Sequence, residues 1–456
     1  MSSTIEMPFW VLLLLLAFAA VTFASHFLFP SVRWFFRRRL ERAVAQLNTR
    51  LTRPIEPFRL ARRHDMIQRL VYDPVVTQAI VDFARRNNVR EDVAFQTARR
   101  YAREIVPSFS AFAYFSFGTR LANWLARSLY NVKTGQNNNA VLEGIGKDAT
   151  VIFIMNHRSN MDYVLVTTLA AKDSALSYAV GEWARVWPLS RLIKSMGAYF
   201  IRRKLRGGLY RTVLARYVQM STAGGVTQAI FPEGGLSLDG CLRPPRVGLL
   251  SYVVDGFVPE GRDVVFVPVA INYDRVLEDR VLIATAERGD RKFPAKMSVV
   301  LGFFFKMIWQ RLRGRFQKFG TAAVIFGEPL SLSKYDRAAP LEDLAQDLMR
   351  RIQNEMPYLF VPIVSRVMLA ASGPMTKDEI MEAVLDDIEA STAPPPLVSR
   401  DAFPAAVGRA RTAMERRGMI RRSGETWQMV AAEQPLLTFY ANSVAHFYAD
   451  YAADAK

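Results

Sequence analysis

The chain opens on an apolar run, Pro8 to Phe29, 22 residues without a charge. That length matches the hydrocarbon core of a bilayer and predicts a membrane anchor over residues 1–32. Apolar positions then recur at helical spacing from Asp65 to Arg103, broken at Asp73-Pro74, which predicts two or three amphipathic helices. Ser108 to Gly118 is rich in aromatic residues and fits either core or a surface against lipid or an acyl chain. The polar run Thr134 to Asn139 reads as a loop that opens the next region. From about Val141 to Leu330 short apolar strands alternate with helical stretches such as Leu209 to Met220. The expected strands are Thr150–Met155, Val226–Phe231, Val264–Ala270 and Ala322–Phe326. This pattern predicts an α/β domain with a mostly buried sheet.

Met297 to Arg315 is apolar and then basic, which fits an interfacial helix or a buried helix with a solvated end. After Ser331 the pattern is helical, with Leu341 to Met356 and Thr376 to Glu389 as helices and Ser391 to Pro396 as a linker. Ala405 to Arg417 is expected to be a helix stopped by Gly418, and Met419 to Val430 a hairpin turning at Ser423-Gly424. Helices followed by a hairpin suggest a winged-helix-like unit. A last apolar helix, Gln434 to Tyr448, is expected to dock on the main domain. The resulting division is anchor 1–32, basic and helical region 33–135, α/β domain 136–335 and helical region 336–456.

Composition changes this picture in two ways. The formal net charge is +18, with a pI near 10.1, which calls for an anionic partner. Seven arginines against one acid, Glu41, fall between Ser31 and Arg53. Beside an apolar run, such a segment is attracted to anionic lipid at roughly 1 kcal/mol per charge. The positive-inside rule then places the body of the chain on the cytoplasmic face of the cell membrane behind a single-pass anchor. A signal peptide is the competing reading, disfavoured by the missing basic leader. Nucleic-acid binding through the winged-helix-like unit competes for the charge, but no nucleic-acid partner is expected. The single cysteine, Cys241, excludes a disulfide within the chain and a cysteine-rich metal site.

Candidate chemistry centres on Thr150 to Tyr163, TVIFIMNHRSNMDY. A strand there hands over to a helix through a turn carrying His157, with Asp162 in the helix's first turn. A turn lets the two side chains meet, and a carboxylate on one imidazole nitrogen leaves the other as a base. The same stretch also fits a helix capped by Ser159 with a buried histidine. Three further stretches end on strands or turns. Gly197 to Lys204 closes on Arg202, Arg203 and Lys204, suited to gripping a phosphate. Ile230 to Ser237 carries Glu233, Gly234 and Gly235 in a turn whose N–H groups can approach a ligand. Phe266 to Arg275 is a strand that runs out into polar residues.

Together and in this order the four stretches resemble the sequence blocks of the glycerolipid acyltransferase superfamily. NHRSNMD is similar to the NHxxxxD block, GAYFIRR to the second, FPEGG to the third and VPVAINYDRV to the fourth. The HRS, FIRR and NYDRV details, with LTFYANSVAHFY near the C-terminus, look most like the glycerol-3-phosphate acyltransferases. The resemblance implies a mixed sheet flanked by helices. It also implies acyl transfer from acyl-CoA or acyl-carrier protein to the sn-1 hydroxyl of glycerol 3-phosphate, or alternatively to lysophosphatidate, with no cofactor and no metal. It makes His157 and Asp162 catalytic. It assigns substrate binding to Arg158, Gly197, Arg202, Arg203, Glu233, Gly234, Gly235, Ser237, Pro268, Tyr273 and Arg275. One departure stands out: Leu236 and Leu238 occupy positions where the family usually carries arginine. Arg243 and Arg246, just downstream, are the expected replacements. Ser237 lies outside any G-x-S-x-G elbow, so direct attack by the acceptor is expected rather than a covalent serine.

Overall fold

The computed structural model describes residues 8–23, 38–39, 42, 44–49, 51–136, 138–171, 174–181, 189–202, 207–289, 309–314, 316–336 and 338–448. The chain divides into two compact units, Met1–Ile55 and Glu56–Lys456. In the first, the apolar run forms a helix at Phe9–Phe23. Trp10, Leu14 and Phe18 all lie exposed along it, so it has no polar face. Its 15 residues span about 22 Å at 1.5 Å per residue. No helix among the described residues is long and apolar enough to cross a membrane, so the expected anchor is not found there. The end of the apolar run and most of the basic segment lie outside the described residues, as do Arg203, Lys204 and most of Met297–Arg315.

In the second unit, after a short helix at Pro57–Leu60, three amphipathic helices stand where two or three were expected, Arg63–Val71, Pro74–Asn87 and Glu91–Ile105. Asp73 caps the second: its side chain accepts the Val75 N–H at 3.0 Å, and Pro74 fills the first helical position. The same carboxylate pairs with Arg216 of the helix Gly208–Ala223, tying this layer to one face of the sheet.

The sheet contains β1 (Asn131–Thr134), β2 (Thr150–Met155), β3 (Ser177–Val180), β4 (Tyr199–Phe200), β5 (Gln228–Ile230), β6 (Val264–Tyr273), β7 (Thr321–Phe326) and β8 (Leu330–Ser331). Its order is β1-β7-β6-β2-β5-β3-β4, with β8 on β6. Strands β2 to β6 pair in parallel, whereas β7 and β8 run antiparallel to β6, so the sheet is mixed. All residues of β2 and β6 are buried, as central strands covered on both faces require. Ile154 sits beside both Ile230 and Pro268. The segments that follow β2 and β5 therefore leave the sheet at the same carboxyl edge, where α/β sheets place ligands.

The C-terminal part runs helix Phe360–Ala370, β9 (Met375–Thr376), helices Lys377–Ala390 and Phe403–Arg416, then the hairpin β10 (Ile420–Ser423) and β11 (Thr426–Met429). The strand order β10-β11-β9 gives it winged-helix topology. Thr376 and Glu379 form a reciprocal capping box at the first turn of Lys377–Ala390. The last helix is shorter than expected, Gln434–Ala441, followed by a tight turn at Ala445–Phe447. It packs on Phe360–Ala370 and Asp279–Glu287, which joins the C-terminal part to the sheet.

Candidate active site

The turn after β2 is held from below before it carries any chemistry. Asn156 stands where the next strand residue would be: its side chain donates to Ile271 O at 2.9 Å and accepts the Ile271 N–H at 2.8 Å. It thus continues the ladder to β6 at the point where the chain leaves β2. His157 follows. Its Nδ1 lies 2.9 Å from Asp162 Oδ2, and both side chains are buried. The backbone N–H groups of Arg158 and Ser159 donate to that same oxygen at 2.8 and 3.0 Å. The Tyr273 hydroxyl, at the end of β6, donates to Oδ1 at 2.5 Å. Besides the imidazole, Asp162 thus accepts from three groups, and a proton on Nδ1 completes the set and gives His157 as the Nδ1–H tautomer. The imidazole lies against Phe231, ring centroids 4.1 Å apart at 32°, with Tyr163 at its edge. Nε2 is left for whatever occupies the adjoining cavity.

The alternative reading of this stretch, a capped helix, describes the same atoms and excludes nothing. Ser159 Oγ accepts the Met161 N–H at 3.1 Å and donates to Glu278 at 2.7 Å. Glu278 also accepts from the backbone and side chain of Asn160. Half-buried Glu278 thus satisfies the helix start from across the fold, and desolvation pushes its carboxyl above the usual range.

Glu233 ties two loops together. One oxygen accepts the His157 N–H at 2.8 Å and the other the Arg243 N–H at 3.0 Å. Burial pushes its carboxyl up to about 7, against the pull of those two donors and of Arg158. Arg158 is itself buried, and its Nε and Nη2 find no hydrogen-bond partner among the described residues. Burial lowers its pKa, while Glu233 and then Asp162 oppose that fall, so it serves as a fixed counter-charge beneath the turn.

A cavity of about 420 Å³ opens on His157, Phe231 and Gly234. Arg202, Arg211 and Arg246 bring positive charge to its wall, and Val180, Leu214 and Leu249 bring apolar surface. Of the residues picked from sequence, His157, Arg202 and Gly234 line this cavity. Arg202 is already gripped by Glu104 through two bonds of 2.6 and 2.7 Å. Of the two downstream arginines, Arg246 reaches the cavity, while Arg243 contributes its backbone to Glu233. Arg211 is missing from the sequence reading, because on an exposed helix face nothing distinguishes it from a solvated arginine.

The other described positions lie off the wall of this cavity. Tyr273 holds Asp162 instead of facing substrate. Ser237 is locked into its own loop, donating to Cys241 O at 2.8 Å and accepting the Gly240 N–H at 3.0 Å. Gly197 has φ +91°, and a Cβ there would meet Arg59 Nη2 at 2.4 Å, so it serves a packed turn. Pro268 is buried inside β6, and Gly235 lies off the cavity wall. Arg275 faces a different cavity, beside Phe319 and the helix Phe403–Arg416. Arg203 lies outside the described residues.

Residues 131–272 match the acyltransferase family, and residues 304–455 match the glycerol-3-phosphate acyltransferase C-terminal region. A glycerol-3-phosphate acyltransferase of Pseudomonas fluorescens (strain Pf0-1) is 30% identical over 284 residues, covering 60% of this chain and 32% of that protein. Its counterpart in Aeromonas hydrophila is 29% identical over 281 residues, covering 61% of this chain and 34% of that protein. The chain spans about a third of the length of these curated relatives. The crystal structure of a 1-acyl-sn-glycerophosphate acyltransferase from Thermotoga maritima gives a TM-score of 0.33 at 18% identity, covering 60% of this chain and 92% of that one.

Proposed function

We propose that this chain, in which an acyltransferase region is followed by a glycerol-3-phosphate acyltransferase C-terminal region, transfers a fatty acyl group from a thioester to the sn-1 hydroxyl of glycerol 3-phosphate. The observation that carries this reading is the buried His157–Asp162 pair opening onto a cavity with arginines on its wall. The acceptor phosphate sits against Arg246 and Arg211, whose guanidinium groups suit a phosphate. Its hydroxyl then lies at His157 Nε2. As the hydroxyl oxygen bonds to the thioester carbonyl carbon, Nε2 takes the hydroxyl proton, and Asp162 stabilises the imidazolium that forms. The tetrahedral adduct collapses, the carbon–sulfur bond breaks, and the imidazolium proton passes to the departing thiolate. Each of these steps uses side chains of this chain alone. Ser237 takes no part, since its hydroxyl is committed within its loop.

The donor is acyl-CoA or acyl-carrier protein, and both donor chain and product are apolar. Membrane attachment through the helix Phe9–Phe23 and the arginines that follow it would bring the cavity to that phase. The test is acyl transfer from labelled acyl-CoA, with glycerol 3-phosphate and lysophosphatidate offered separately. Wild type should acylate glycerol 3-phosphate, and His157→Ala should lower the rate by about 10²–10⁴-fold. Consumption of lysophosphatidate alone overturns the acceptor. Full activity of His157→Ala overturns the mechanism.

A further inference from the structure

A second cavity, about 790 Å³, lies between the loop 317–320, the end of β6 and the helix Phe403–Arg416, and shares no lining residue with the His157 cavity. Arg275, Lys318, Arg409, Arg411, Arg416 and Arg417 all line it, with Asp274 as the one acid. Internal partners leave most of that charge uncompensated. Arg417 is used by Asp279 and Tyr440. Asp274 is used by the backbone, accepting the Thr321 N–H at 2.7 Å and the Val361 N–H at 3.2 Å. The remaining cations form no ion pair among the described residues, although Arg409 lies near Asp274, Arg411 near Glu415 and Arg275 near Asp279. Lys318 reaches Asn131, Arg416 reaches Gln317, and Arg409 has no hydrogen bond or ion pair among the described residues. Two guanidinium groups sit over rings, Arg275 over Phe319 at 4.1 Å and Arg411 over Trp427 at 3.9 Å. Arg275 Nε is buried with no hydrogen-bond partner among the described residues.

From this convergence we infer a second binding site, one that takes a phosphate-bearing anion. Like charges gathered in one concavity repel, and the repulsion is relieved when an anion enters. Planar guanidinium forks pre-set by stacking match phosphate oxygens at small entropic cost. The volume exceeds that of a bare ion and suits a phosphate carried on a larger body. A nucleic-acid duplex fits less well, because the loop 317–320 and the end of β6 wall the helix on the side where its cations gather. The site stands whether or not the chain transfers acyl groups.

The chemistry is shared by a free phosphate compound and a lipid headgroup, so the test has two arms on the full chain in detergent. One is calorimetric titration with inorganic phosphate. The other is flotation with phosphatidylcholine vesicles with and without phosphatidate. Arg409→Gln with Arg416→Gln removes two exposed cations of this cavity, and Arg85→Gln with Arg86→Gln, two exposed cations on the helix Pro74–Asn87 outside both cavities, is the control. Thermal unfolding checks that all three proteins fold. The expected result is at least about tenfold weaker phosphate binding, or a comparable loss of phosphatidate-dependent flotation, in the Arg409/Arg416 variant and not in the Arg85/Arg86 variant. Loss in the first arm identifies a soluble ligand, and loss in the second alone a lipid headgroup. Wild-type behaviour of the Arg409/Arg416 variant in both arms overturns the site, as does an effect confined to retention of duplex DNA.

Discussion

Glu233→Gln separates what the catalytic turn needs from what the fold would prefer. In the wild type each carboxylate oxygen accepts one backbone N–H, from His157 and from Arg243. Glutamine keeps one acceptor and turns an NH₂ towards the other donor, which leaves a buried N–H unsatisfied at about 1–3 kcal/mol. That cost is independent of pH. The opposing effect is not. Burial pushes the Glu233 carboxyl from 4.5 up to about 7. The folded protein therefore holds a proton in the interval that the unfolded chain has released. The stability this contributes is complete below pH 4.5 and is lost as pH rises through 7. Between pH 5 and pH 8 the loss amounts to about 2–3 kcal/mol, a sizeable part of a typical folding free energy. Glutamine carries no such proton, so the variant gains on wild type by that amount as pH rises. Activity should move the other way: a loosened His157 peptide should lower kcat by about tenfold or more. Thermal unfolding of both proteins at pH 5, 6, 7 and 8, with transfer assays at pH 7.5, measures both effects. Unfolding temperatures that stay a constant distance apart across that range would refute the reasoning.

Tyr273→Phe removes the donor to Asp162 Oδ1; kcat should fall by about 10–100-fold with the KM for glycerol 3-phosphate unchanged, as for a residue that positions the base without touching substrate. Arg246→Gln should instead raise that KM by about tenfold while kcat stays within a few-fold, measured by acceptor titration. Gly240→Ala places a Cβ 1.9 Å from the Phe439 carbonyl oxygen at φ +90°, so the loop and the last helix must part. A stability loss of about 2–5 kcal/mol, seen as a lower unfolding temperature, should accompany loss of transfer.

What was legible in the sequence was local. His157 and Asp162 meet across a single turn, so spacing alone could bring them together, and β2 and β6 stand out as unbroken apolar runs. The shortest strands left no such mark: β1 and β3 have four residues each and β4, β8 and β9 only two, too short for a period to show. The helix Phe360–Ala370 was missed because it is apolar nearly all round and carries Pro362 in its first turn. Roles set by distant partners were out of reach. Arg202 looks like a free phosphate grip until Glu104, 98 residues earlier, is seen to hold it. Tyr273 and Arg275 are two residues apart, yet one reaches Asp162 and the other turns into a separate cavity where β6 ends. The Phe231 ring against the imidazole depends on β2 and β5 being neighbours, which sequence order does not reveal.

The last helix does more than close the fold. The Phe439 carbonyl rests over Gly240, Asn442 donates to Asp239 O, and the Tyr440 hydroxyl receives the Val276 N–H. Ser443 meets Asn272 beside the end of β6. The loops around the catalytic turn are thus braced by residues translated some 200 positions after them. On the ribosome the sheet can assemble before these contacts exist, so the loops around His157 settle only once residues 434–448 have emerged.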